Sequence, residues 1–205
     1  MAKVKLTKGE LKKTRDALRQ YYRYLPTLQL KKQQLQVEIL RANAAMEEKR
    51  HQEAARSREA EAWAGLLSDR LVDLKPWIAP TAVLSGARNI AGVDIPVFEK
   101  TEFAPAEYDL FLTPLWVDAA IDALRAIASL REEIKVLEKG VAILKQELRT
   151  TTQRVNLFEK VKIPEAEELI RVIKIYIGDQ MTNAVGRSKM AKKKIEKAEY
   201  AGAVS

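Results

Sequence analysis

The hydrophobic positions follow a seven-residue period over most of the chain. From Leu11, one set of seam positions is Leu11, Leu18, Leu25, Lys32, Ile39 and Met46, and the other is Thr14, Tyr21, Leu28, Leu35, Ala42 and Lys49. Nine of these twelve are apolar, and a sustained 3.5-residue period predicts a left-handed coiled coil. Thr7-Lys8-Gly9-Glu10 fits a capping box at the start of this helix. Pro26 removes one intrahelical bond and predicts a kink near Arg23 and Tyr24. Beyond Glu47 the sequence stays helix-favouring through Leu71, with an apolar stripe thinned to alanines. A second, stronger repeat fills the C-terminal half. Its seam is Thr113, Ala120, Ile127, Ile134, Val141, Leu148 and Val155, alternating with Trp116, Ala123, Leu130, Leu137, Leu144, Thr151 and Phe158. Thr113-Pro114 reads as its N-cap and first residue. Gly140 lies off this seam and weakens the helix locally, and Pro164 interrupts the register. The segment 169–177 that follows is apolar on most faces, so it needs burial against the first helix or another protein.

Between the repeats, five prolines (Pro76, Pro80, Pro96, Pro105, Pro114) and two glycines (Gly86, Gly92) exclude a long helix. Two short β-prone runs flank Ala91-Gly92 and predict a hairpin, with Pro96 at an edge position. The expected fold is therefore all-α dominated: a long antiparallel two-helix coiled-coil hairpin with a small irregular insert, containing a short β-hairpin, at its far end. We expect an N-terminal coiled-coil helix over 1–74, a head insert over 75–113, and a C-terminal coiled-coil helix with a basic tail over 114–205. At about 1.5 Å per residue the helices would form a rod of roughly 70 to 100 Å. Similar repeat lengths favour pairing within one chain over a parallel homodimer.

Charge sharpens this picture. The formal net charge is +8, but residues 1–50 and 153–205 are basic while 51–152 are net acidic. In a hairpin the basic termini share one end, a positive tip that includes Lys8, Lys12, Lys13, Arg187, Lys189, Lys192 and Lys193. The chain has no cysteine, which excludes disulfides and thiolate metal sites and points to a reducing compartment. No apolar run approaches the roughly 20 residues needed to span a bilayer, and residues 1–13 lack a signal-peptide core. A soluble cytoplasmic protein is the expectation.

Catalytic patterns are missing: there is no GxxxxGK[ST] phosphate loop and no GxGxxG. The single histidine, His51, sits in a charged helical run and reads as solvated. The carboxylate neighbours Glu132-Glu133 and Glu167-Glu168 read as solvated helix faces rather than an acid–base pair. The basic tail reads as a helix end whose cations complement the dipole, because only Tyr200 could stack on a base.

Three local patterns give the shape a purpose. Arg154, Val155 and Asn156, followed by Glu159 and then Ile163-Pro164, resemble the C-terminal signature of the D subunit of the V/A-type rotary ATPases. Thr7, Glu10, Leu11, Leu28 and Lys31-Lys32 are similar to that family's N-terminal helix, and Asn89, Gly92 and Val93 to its Asn-x-x-Gly-Val motif. The resemblance covers nearly the whole chain in order, with departures at Pro26 and at Ala184-Val185-Gly186. It implies a central-stalk rotor shaft, cytoplasmic and peripheral to the membrane. Its coiled-coil tip would enter the hexamer of catalytic and non-catalytic ATPase subunits. Its other end would join the small F subunit of the stalk and the funnel-shaped subunit on the membrane rotor. No catalysis, cofactor, metal, nucleic acid or direct membrane insertion is implied. A free-standing coiled-coil adaptor and a basic nucleic-acid-associated hairpin stand as the alternatives.

Overall fold

A computed structural model describes residues 5–62, 65, 74–108 and 113–202. The element order is α1 (Lys8–Glu61), α2 (Lys75–Ile78), β1 (Pro80–Ile90), β2 (Val93–Phe103), α3 (Trp116–Leu157), a π-helical turn (Phe158–Lys162) and α4 (Ile163–Gly202). The chain is helix-dominated, with one two-stranded antiparallel sheet. Its Cα atoms divide it into two compact units, Met1–Gln29 with Gln153–Ser205, and Leu30–Thr152.

Helix α1 begins as its sequence dictates: the Thr7 hydroxyl accepts from the Glu10 N–H at 3.2 Å. Pro26 does not break it, and one α-helix runs from Lys8 to Glu61 with the proline inside. The expected continuation from Trp63 towards Leu71 lies mostly outside the described residues. Helix α3 starts at Trp116, two residues later than Thr113-Pro114 suggests. The Pro114 carbonyl instead accepts from the Val117 N–H at 3.1 Å in a preceding turn.

In the unit Leu30–Thr152, α1 and α3 run antiparallel. Lys31 meets Glu147 at 2.8 Å, Lys49 meets Glu133 at 3.0 Å, and Glu53 meets Arg131 at 2.8 Å, so partners descend along α3 as α1 ascends. Exposed pairs of this kind each stabilise by about 0–1 kcal/mol. Their value here is directional, since each places opposite charges across the helices only in this register. The apolar core between the helices is Leu35, Ile39 and Leu144, with Leu148 packed beside it.

The β-hairpin is longer than the sequence suggests, eleven residues in each strand. Ala91, Val93 and Ile95 pack on Leu35, Ile39 and Leu144, so the hairpin tip folds back over the helix pair. Gly140, expected only to weaken α3, is the landing site. It is buried, and a Cβ there would meet the Pro96 carbonyl oxygen at 3.8 Å and the Ile95 Cβ at 3.9 Å. Pro96 pairs with Ala87 in a sheet whose strands are both edges, where a missing donor is tolerated. At the hairpin base, Leu74, Val117, Ala120 and Ile121 form a second cluster, flanked by Trp77, Ile78 and Tyr108.

Candidate functional site

Among the described residues no catalytic constellation is assembled, so the candidate sites are the helix seam, the C-terminal motif, the hairpin tip and the basic ends. Along α1, Leu35 (0% exposed) and Ile39 (8%) are buried, and Leu11, Leu18, Leu25 and Leu28 are half-buried. Thr14 is buried with its hydroxyl satisfied, donating to the Glu10 carbonyl at 2.8 Å. Along α3, Ile127, Leu130, Val141, Leu144 and Val155 are buried, while Ile134, Leu137 and Leu148 are half-buried. None of these positions is fully open to solvent.

In the unit that joins the two chain ends, Tyr21 packs on Phe158 with ring centroids 5.3 Å apart. The neighbouring Tyr22 donates its hydroxyl to Glu167 at 2.7 Å. That bond raises the Tyr22 phenol above its ordinary 10.0, with desolvation and the carboxylate charge adding to it. Glu168 is lowered by its hydrogen bonds to Arg171. The carboxylates of Glu132, Glu133, Glu167 and Glu168 thus each hold a helix-surface partner.

The motif residues divide by face. Val155 and Ile163 are buried at 4% and 7%, whereas Arg154, Asn156, Glu159 and Pro164 are exposed. Between them lies the π-turn, in which the Ile163 N–H reaches back to the Phe158 carbonyl. The all-round apolar segment 169–177 is buried on one face only. Ile173 (0% exposed) and Ile170 (8%) point inward, and Val172, Ile175 and Tyr176 face solvent.

The hairpin tip explains its own sequence. Ala91 and Gly92 both take positive φ, 52° and 77°, the signature of a type I′ turn matched to strand twist. The Asn89 side chain accepts from the Gly92 N–H at 3.1 Å and donates to Asp94 at 2.7 Å, bracing the turn. Val93 begins the return strand and packs inward. Alanine is a poor choice for positive φ by roughly 1–2 kcal/mol, and the contact of Ala91 with the helix core offsets this.

Lys8, Lys12, Lys13, Arg187, Lys189, Lys192 and Lys193 are all exposed, and Lys192 lies 3.7 Å from Glu196. From 178 to 198 no residue of α4 is buried, and Met181, Val185, Met190 and Ile195 are more than half open. Among the described residues no acidic or histidine cluster could hold a metal ion, and no helix is long and apolar enough to cross a membrane.

Sequence patterns give no hint of Arg125. It lies off the seam, yet donates to the Trp77 carbonyl at 2.9 Å and the Ala104 carbonyl at 2.6 Å. Its guanidinium also sits 5.4 Å from the Phe103 ring centre. One side chain therefore ties both ends of the hairpin segment to α3.

Comparison with known proteins agrees with these features. The family model for the ATP synthase D subunit matches residues 10–193. The V-type ATP synthase D subunit of Borreliella burgdorferi is 44% identical over 197 residues, covering 96% of this chain and 97% of that protein. The proteins of the same name from Chlamydia caviae and Chlamydia pneumoniae are 37% and 36% identical. They match 95% and 94% of this chain, and 95% and 93% of their own lengths. With the paired helices, the braced hairpin and the motif all in place along one matched length, the chain belongs to the ATP synthase D-subunit family.

Proposed function

We propose that this chain is the central-stalk shaft of a V/A-type rotary ATPase, a non-catalytic part that carries torque between the ATPase hexamer and the membrane rotor. The near-full-length match to D subunits of V-type ATP synthases carries this reading. The physical features support it. Torque needs an element that resists twisting, and antiparallel helices interlocked by an apolar seam and cross-helix ion pairs resist it along their length. A shaft turning in a collar also needs a surface without deep anchoring pockets for any one neighbour. The exposed helix faces carry many charged side chains, in a chain of which 31% is Asp, Glu, Lys or Arg.

The hexamer-facing tip would be the two chain ends, with Lys8, Lys12 and Lys13 on α1 and Arg187, Lys189, Lys192 and Lys193 on α4. The exposed stretch 178–198 supports this assignment, because its open apolar side chains suit a collar of other subunits. Its cations would be drawn to an acidic lining. The hairpin end would meet the small F subunit of the stalk and the funnel-shaped subunit of the membrane rotor. The complex would work at the cytoplasmic face of its membrane, with this chain peripheral.

Gentle affinity purification of the tagged chain from its native cells tests the reading. Catalytic and non-catalytic ATPase subunits should co-purify in fixed stoichiometry. Recovery of the chain alone would favour a free-standing adaptor. Recovery with nucleic acid that is lost steeply as salt rises would favour the basic nucleic-acid reading.

A further inference from the structure

The geometry points to a built-in register shift at residues 154–164: a one-residue π-turn moves the buried face of the C-terminal helix onto the neighbouring heptad track, and polar residues on both sides hold that turn in place. The shift is visible in the burial pattern. Val141, Leu144, Leu148, Thr151 and Val155 step along one track in threes and fours, all buried except the half-buried Leu148. Continued past Phe158, this track would next reach Lys162 and Glu165. Instead the buried residues are Ile163, Ala166, Ile170 and Ile173, each one position later. The π-turn Phe158–Lys162 holds the extra residue. One residue corresponds to about 100° around a helix of 3.6 residues per turn, so in an uninterrupted α-helix the two tracks could not share one buried stripe.

Pro164 explains why a wide turn forms here. It has no N–H, and in a regular α-helix its ring would press on the carbonyl four residues back, at Lys160. A π-turn immediately before it opens that space. The flanking residues explain why the turn stays where it is. Sliding it towards the N-terminus would bring Glu159 and then Asn156 and Thr152 onto the buried track in place of Phe158, Val155 and Thr151. Sliding it the other way would bury Lys162 and Glu165, which now pair at the surface at 3.4 Å. Burying such groups without partners is strongly disfavoured.

From Leu169 onward the sequence no longer chooses. Leu169, Val172 and Tyr176 lie on one track and Ile170, Ile173 and Ile177 on the other, which is why this stretch reads as apolar on most faces. The choice is made upstream, by residues 156–165. Asn156 and Glu159, exposed and outside the seam, are thereby positioning residues that act by being unfit for burial. This holds whether or not the chain turns as a rotor.

Two variants of the full chain test the inference. Deleting Lys160 together with Pro164→Ala should give an uninterrupted α-helix with Ile163, Ala166, Ile170 and Ile173 still on the buried track. Its melting temperature, followed by circular dichroism, should stay within a few degrees of the parent. Deleting the exposed Gln146 instead displaces Leu148, Thr151 and Val155 and should lower it by roughly 10 °C or more. Equal losses from the two deletions would overturn the register shift. In the second variant, Asn156→Leu with Glu159→Leu makes the upstream alternative track apolar. Hydrogen exchange at 152–157 should then become faster than in the parent as the turn gains freedom to move into that segment. Unchanged exchange in that variant would show that these polar residues do not hold the turn.

Discussion

At Arg125 one half-buried guanidinium serves three partners: two backbone carbonyls on either side of the hairpin and an aromatic ring between them. Hydrogen bonds to a charged group each contribute roughly 1.5–3 kcal/mol, and the cation–π contact adds about 0.5–1 kcal/mol. Solvent access at this half-buried site reduces both. We expect Arg125→Ala to destabilise the chain by about 2 kcal/mol. Arg125→Lys should recover less than half of that, since a single ammonium cannot reach both carbonyls in the geometry of a planar fork. Urea titrations of the three proteins would measure this, and a lysine variant as stable as the parent would remove the fork from the explanation. Residues like this were not legible in the chain, because their partners are backbone atoms brought near only by the tertiary fold. Asn89 and Gly92 were legible as a turn, since positive φ and side-chain bracing leave a local mark.

Gly140 sets how the hairpin and α3 meet. Heptad arithmetic puts it outside the seam and assigns it only a helix penalty, but it lies beneath Ile95 and Pro96. A methyl at 3.8–3.9 Å from its neighbours makes ordinary contact. Gly140→Ala should therefore stabilise the chain by about 0.5–1 kcal/mol through helix propensity. Gly140→Leu should lift the hairpin and destabilise it by roughly 1–3 kcal/mol. Thermal melts would separate these signs, and a neutral leucine would mean the hairpin does not rest there. The two helices and the hairpin could be read from periodicity and turn residues. Two features could not. A period describes one partner helix, so it cannot announce that a hairpin also packs on α3 at Gly140. A proline in a heptad run marks a disturbance, but whether the helix absorbs it, as at Pro26, or widens into a π-turn, as before Pro164, depends on which neighbouring side chains can be buried.

At the scale of the whole molecule, the near-full-length match to D subunits of V-type ATP synthases supports the proposed shaft. The seam, the cross-helix ion pairs and the exposed α4 tail are the features a turning shaft would use. The most direct test is rotation itself. The chain has no cysteine, so Thr81→Cys at an exposed position of the hairpin gives this subunit a single thiol, which is labelled before assembly so that it alone carries the bead in the ATPase, with the hexamer fixed to a surface. On addition of ATP the bead should turn in one direction, at a rate that rises with ATP concentration until it saturates. A bead that stays still while the same complexes hydrolyse ATP would contradict the shaft.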